Sequence, residues 1–308
     1  AVAAGLLAGG LQPRARLALL VPPGIDFVSL VFSLLKAGVV LILIDPGIGR
    51  RHLIRCLAEV QPDGFVSIPR GQLARLLYRR KFPQARHNIT LGRRWGWGGS
   101  TLAEIRSGDS RPTLVEVGPA DPAAIIFTSG STGAPKGVLY RHGNFVKQVD
   151  EIRDRYGIRP GEIDVACFPL FALFNSALGV TTIFPAMNFS HPAAVRPAHV
   201  LAAFRDWQAT QAFGSPALWN TVAAYCDSRP EVFPALKRVL SAGAPVPPHV
   251  LERVSRLMPD GGQMHTPYGA TEALPVATIS ATEVLRETRA RSEDGGGTCV
   301  GTRFAGIE

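Results

Sequence analysis

"FTSGSTGAPKG", Phe127 to Gly137, follows the apolar run Ala123-Ala124-Ile125-Ile126. It places glycine at 130, 133 and 137, hydroxyl groups at Thr128, Ser129, Ser131 and Thr132, and a single cation at Lys136. A loop this rich in glycine loses much conformational entropy on ordering, so packing alone does not favour it. Converging backbone N–H groups and hydroxyls do suit an anion, and phosphate is the usual one. The Walker pattern G-x-x-x-x-G-K-[ST] fails here: counted from Gly130, Pro135 stands where glycine is required, and Gly137 follows Lys136 where Ser or Thr should. The plainer alternative is a hairpin turn, with Val138–Tyr140 as its second strand.

Outward from this loop, short apolar runs alternate with helical patterns. LALLVP (17–22), VVLILID (39–45), GFVSI (64–68), AAIIFT (123–128), DVACFPL (164–170), TTIFPA (181–186), QAFGSP (211–216) and KRVLSAG (237–243) have the composition of buried strands. Helical spacing is expected over 27–37, 52–60, 144–156, 197–208, 216–226 and 247–258, the last three opening on proline. This alternation implies a doubly wound, largely parallel α/β fold, in which ligands sit at the carboxyl ends of strands. Residues 288–297, ending in SEDGGG, read as a loop or connector.

Composition narrows the class. The chain has 308 residues, 46% hydrophobic and 19% charged, which fits a globular enzyme-like protein and excludes a disordered one. The apolar stretch from Phe27 to Ile44 resembles a membrane span, but Lys36 and Gly38 interrupt it, so helix, glycine stop and buried strand is the better reading. Cys56, Cys167, Cys226 and Cys299 lie far apart, without metal-ligand spacing, which argues against zinc or a disulfide scaffold and fits a reducing cytoplasm. Ala1 opens inside an Ala/Leu/Gly stretch without methionine, so the chain is expected to begin partway through a longer protein.

The net charge of +9 is concentrated. No acid lies between Asp63 and Glu104, whereas arginines and Lys81 interleave with Tyr78, Phe82, Trp95 and Trp97. A solvated basic face is the simplest account of Arg75–Trp97; an anionic membrane surface or a partner enzyme is the functional one. Nucleic acid is not expected, because no recognition motif accompanies the charge.

Three more clusters close strands: FGSPALW (213–219), SAGAPV (241–246) and YGATE (268–272). With the loop they offer a phosphate cradle, small residues that admit a flat ring, an aromatic face and a carboxylate for Mg²⁺. That set suits a nucleoside triphosphate.

TSGSTGAPKG, SAGAPV and YGATE, in this order and at these separations, resemble the adenylate-forming superfamily of acyl-CoA synthetases, luciferases and peptide-synthetase adenylation domains. The resemblance spans nearly the whole chain. It implies that Thr128, Ser129, Gly130, Ser131, Thr132, Gly133 and Lys136 hold the triphosphate of ATP. It places Gly243, Ala244 and Pro245 along the adenine and acyl pocket, and Tyr268 and Gly269 against adenine. Thr271 is then expected at the α-phosphate and Glu272 at Mg²⁺, with Lys136, Thr271 and Glu272 as the catalytic set.

Within that superfamily, FPLFALFNSALG (168–179) and FGSPALWNTVAAYC (213–226) resemble the β-lactone synthetases of bacterial long-chain olefin biosynthesis. The implied substrate is a long-chain β-hydroxy fatty acid, with Phe171, Ala172, Phe174 and Gly214 lining its pocket. Acyl-CoA synthetase or acyl-AMP ligase chemistry shares the first half-reaction, and a nucleotide-binding fragment without activity is the non-enzymatic alternative. Many relatives carry histidine after PLF; here Ala172, Leu173 and Phe174 make the position apolar. The chain stops at VGTRFAGIE, before the family's ribose-binding aspartate and its C-terminal lid. The expectation is therefore a large N-terminal AMP-binding domain over 1–308, with a first α/β subdomain at 1–120 and a second at 121–308.

Overall fold

A computed structural model describes residues 1–107, 115–127 and 135–307. The chain forms two compact units, Ala1–Val146 and Lys147–Glu308. The division falls later than the 120/121 boundary read from sequence, because the strands flanking the glycine-rich loop complete the first sheet instead of opening the second.

The first unit contains strands β1 (Arg16–Leu20), β2 (Val40–Leu43), β3 (Gly64–Ser67), β4 (His87–Thr90), β5 (Ser100–Thr101), β6 (Pro122–Phe127) and β7 (Gly137–Arg141). Its helices are α1 (Val2–Ala8), α2 (Ile25–Lys36), α3 (Arg50–Val60), α4 (Pro69–Leu77) and α5 (Leu102–Ser107); a sixth, α6 (His142–Tyr156), carries the chain into the second unit. The strands order as β5-β4-β3-β1-β2-β6-β7, parallel except for β7. All four residues of β2 are buried, as a parallel strand covered on both faces requires.

The stretch that resembled a membrane span resolves as expected. Phe27, Leu30, Val31 and Leu34 form the buried stripe of α2, with Asp26 in its first turn and Lys36 in its last. Gly38, at φ +70°, then turns the chain into β2. Among the described residues, no helix is long and apolar enough to cross a membrane.

The second unit contains β8 (Ile163–Ala166), β9 (Thr181–Ile183), β10 (Gln211–Gly214), β11 (Arg238–Ser241), β12 (Gln263–Ala270), β13 (Ala273–Ser280) and β14 (Thr302–Arg303). Helices α7 (Phe171–Leu178), α8 (Pro197–Trp207), α9 (Pro216–Cys226) and α10 (Pro248–Ser255) connect the parallel strands. The order is β14-β13-β12-β11-β10-β8-β9, parallel from β9 to β12 and antiparallel beyond. Alternation along β11 separates two cores: Val239 joins Trp219, Val222, Val250 and Leu251, while Leu240 joins Ile152, Tyr156, Phe213 and Phe304.

Two sequence expectations change here. Only the glycine end of residues 288–297 keeps the character of a loop, with Gly295 at φ +87° and Gly297 at φ +79°. Helical turns of α and π type run from Ala281 to Asp294, opened by a Ser280/Glu283 capping box and accompanied by Arg289, which pairs with Glu293 (2.8 Å) and Glu252 (2.7 Å). YGATE is not a simple strand end either. It is the tip of the β12–β13 hairpin, whose register shifts between Tyr268 and Ala270.

Candidate active site

β6 leads directly into the glycine-rich loop, and Phe127 pairs with Gly137 across an antiparallel ladder. The strands on either side of the loop are therefore antiparallel partners, and a strand, not a helix, begins at Gly137. Thr128, Ser129, Gly130, Ser131, Thr132 and Gly133 lie outside the described residues. Lys136 is described and exposed, one residue before β7.

In the second unit, four neighbouring parallel strands present their carboxyl ends together. Ala166 of β8 pairs with Phe213 of β10, Gly214 with Ser241 of β11, and Leu240 with His265 of β12. Gly243 lies three residues past Leu240, and Tyr268 lies three past its partner His265, so both stand at one level, Gly243 beyond the end of β11 and Tyr268 still within β12. This edge is where a doubly wound sheet binds ligands.

Its chemistry differs from end to end. At β8 and β10 it is aromatic: Phe171 lies on Phe213 with ring centroids 3.6 Å apart, and Phe168 and Phe174 pack at 5.8 Å from Phe213 and 5.5 Å from Phe171 respectively. At β11, Gly243 takes φ +99°, and a side chain built there would meet nothing within 4 Å. Ala244 and Pro245 continue this open, exposed turn. Ser241, directly before it, has a buried hydroxyl with no hydrogen-bond partner among the described residues. At β12 Tyr268 is 53% exposed, although it belongs to a strand. Gly269 lies on the same tip, where a Cβ would press within 2.9 Å of the Ala273 carbonyl oxygen. Thr271 and Glu272 form the turn, with Glu272 exposed.

Two of the four positions expected along the acyl pocket are buried. Ala172 lies on the buried face of α7, and Gly214 is backed by Trp219, whose Cε2 would sit 3.0 Å from a Cβ at that position. Gly214 is small to admit the indole, which donates from Nε1 to the Leu240 carbonyl at 3.3 Å. Phe171 and Phe174, also expected there, are partly exposed, and Phe168 beside them is exposed.

Sequence reasoning passed over the anchor of that surface. Asp164 of β8 is fully enclosed and accepts a hydrogen bond from Asn175 Nδ2 on α7 at 2.7 Å; Asn175 also donates to Thr182 Oγ1 of β9 at 3.0 Å. Burial outweighs these contacts and raises the Asp164 carboxyl to about 7. His265, set 5.2 Å from the Tyr156 ring, is driven down to about 4, first by burial and then by the charges of Arg238 and Arg155. An aspartate opening an apolar strand and an asparagine inside FALFNSALG were the available signals.

The donors fit the group implied for the tip. Mg²⁺ is commonly held by one or two carboxylates together with the phosphate oxygens of its substrate, and an exposed Glu272 at a turn supplies that kind of ligand. The open turn at Gly243 and the exposed Tyr268 fit a planar base in the same way.

An open strand edge beside an aromatic patch is where an α/β protein of the doubly wound class takes a ligand. The chain belongs to the AMP-binding enzyme family, whose model matches residues 1–305. It is 46% identical to the olefin beta-lactone synthetase of Stenotrophomonas maltophilia over 99% of its own length and 54% of the relative's. Identity is also 46% with that of Xanthomonas campestris pv. campestris, over 98% of this chain and 53% of the relative. The chain thus spans about half the length of these curated relatives. In fold it is similar to a long-chain-fatty-acid-CoA ligase of Archaeoglobus fulgidus, with TM-score 0.80 and 20% identity over 98% of this chain and 60% of that one.

Proposed function

We propose that the protein to which this chain belongs activates a long-chain β-hydroxy fatty acid with ATP and Mg²⁺ and closes it to a β-lactone. The observation that carries this reading is the 46% identity to olefin beta-lactone synthetases along almost the entire chain. The acid's carboxylate attacks the α-phosphorus of ATP, giving acyl-adenylate and pyrophosphate. The substrate's own β-hydroxyl then attacks the activated carbonyl, releases AMP and forms the four-membered ring. Nucleophile and carbonyl belong to one molecule, so proximity replaces an external thiol.

Each residue has a task in this scheme. Phe168, Phe171 and Phe174 offer an apolar surface for the acyl chain, and Ala172 keeps that region free of an ionisable side chain. Tyr268 stacks on adenine beside Gly243, Ala244 and Pro245, with Gly269 allowing the tight approach. Thr271 donates to the α-phosphate, and Glu272 holds Mg²⁺, which supplies charge neutralisation on the phosphates. The loop from Thr128 to Gly133, with Lys136, orients the triphosphate and stabilises the charge that separates with pyrophosphate.

The test is mass spectrometry of products from the full-length protein given ATP, Mg²⁺ and a β-hydroxy fatty acid, with and without coenzyme A. β-Lactone, AMP and pyrophosphate are expected in both arms. A coenzyme A thioester in place of lactone would assign the protein to the acyl-CoA ligases, and absence of AMP would overturn acid activation altogether.

A further inference from the structure

Helix α4 buries Gln72, which donates to the Ile89 carbonyl at 2.9 Å, and turns the opposite face outward. On that outer stripe Arg70, Leu73 and Leu77 follow one another at helical spacing, with the leucines 52% and 75% exposed. Arg79, Arg80 and Lys81 continue it as a 3₁₀ turn in which no residue is buried. Arg75 reaches round from α4 to the Trp97 carbonyl at 3.2 Å and so ties the helix to the loop after β4. In that loop Trp97 donates from Nε1 to Thr90 Oγ1 at 3.0 Å, while its neighbour Trp95 stands 67% exposed.

The charge on this face is uncompensated. The two acids bounding the segment are already engaged, Asp63 with Arg16 and Glu104 with Arg94. Arg70, Arg79, Arg80, Lys81, Arg86 and Arg93 are all exposed and form no ion pair among the described residues. Cations alone would read as a solvated face or an acidic-protein contact. Leucines one turn apart between them, with the exposed Trp95 in the loop that Arg75 contacts and packed on Trp97 (ring centroids 5.8 Å apart), match a surface that is charged outside and apolar just beneath.

We propose that this face of the first unit binds an anionic lipid bilayer. Arg79, Arg80 and Lys81 meet the headgroups, and Leu73, Leu77 and Trp95 enter the interface shallowly. The proposal concerns a surface distinct from the strand edge described above and does not rest on the reaction assigned to it.

Co-sedimentation of the full-length protein with vesicles of equal parts phosphatidylcholine and phosphatidylglycerol tests it, with phosphatidylcholine alone as comparison. Partitioning should be at least ~10-fold stronger to the anionic vesicles and should fall by a similar factor at high salt. Arg79→Glu/Arg80→Glu/Lys81→Glu should lower it at least ~10-fold. Leu73→Ser/Leu77→Ser should lower it several-fold while the salt dependence remains. Both variants concern exposed side chains and should keep the parent's circular dichroism and adenylation rate. Trp95 emission should shift to the blue on vesicle addition, an effect lost in Trp95→Phe. Equal partitioning to both vesicles would overturn the proposal. So would charge-dependent binding that ignores the leucine pair and is competed fully by polyglutamate, which would make the face a site for an acidic protein.

Discussion

Phe171 stacks on Phe213 with ring centroids 3.6 Å apart and planes 12° from parallel. Phe213 is buried in β10, whereas Phe171 is partly exposed at the start of α7. The stack thus joins a core strand to the aromatic surface that we assign to the acyl chain. A double-mutant cycle of Phe171→Leu and Phe213→Leu should give a coupling of about 1 kcal/mol in urea unfolding. Coupling near zero would make the two rings mere neighbours. In the full-length protein, Phe171→Leu should also change chain-length preference more than kcat.

Gly214→Ala is expected to destabilise, although alanine ordinarily improves on glycine inside a strand. The new methyl would lie 2.9 Å from Leu218 Cδ2 and 3.0 Å from Trp219 Cε2, and the indole is fully buried. Overpacking of this kind costs about 1–3 kcal/mol. Denaturant unfolding measures it; a variant as stable as its parent would mean that the indole can move aside.

Asp164 and His265 should give stability opposing pH dependences. With its carboxyl raised to about 7, folded Asp164 holds a proton that the unfolded chain releases from about pH 4 upward. Its contribution is therefore full below about 4 and is lost as pH rises to 7. His265, lowered to about 4, does the reverse: its contribution is full above the ordinary histidine value and is lost as pH falls towards 4. Asp164→Asn keeps an oxygen for Asn175 but removes the first titration. Stability of that variant should climb more steeply with pH between about 4 and 6.5 than that of the parent. Parallel curves, measured as urea midpoints across this range, would show that Asp164 does not titrate there.

Lys136 and Glu272 are exposed, so Lys136→Ala and Glu272→Gln should leave the fold intact. In the full-length protein, Lys136→Ala should slow pyrophosphate formation by roughly 10²-fold or more, equivalent to about 2–4 kcal/mol. ATP affinity should fall much less, because several loop groups share the ground-state phosphates. Glu272→Gln should abolish Mg²⁺-dependent adenylation. Single-turnover pyrophosphate release is the measurement, and a rate within a few-fold of the parent would remove either residue from the catalytic set.

What the sequence determined by itself follows from local physics. Continuous branched runs such as VVLILI favour buried parallel strands, and prolines at 197 and 216 mark helix starts that the structure reproduces to the residue. The alternation of these elements was enough for the doubly wound class, and the motif order was enough for the family. Tertiary structure decided what depends on partners remote in sequence. β12 and β13 carry Pro267, Gly269 and Pro275, which argue locally against strands, yet their ladder forms because each strand supplies the other's hydrogen bonds. Residues 288–294 are helical, with Arg289 pairing to Glu252 on another helix. The role of Gly214 is set by Trp219, and the charge state of Asp164 by the apolar strands around it. Periodicity records which face of an element avoids water; it carries no information about which distant side chain will fill the space opposite.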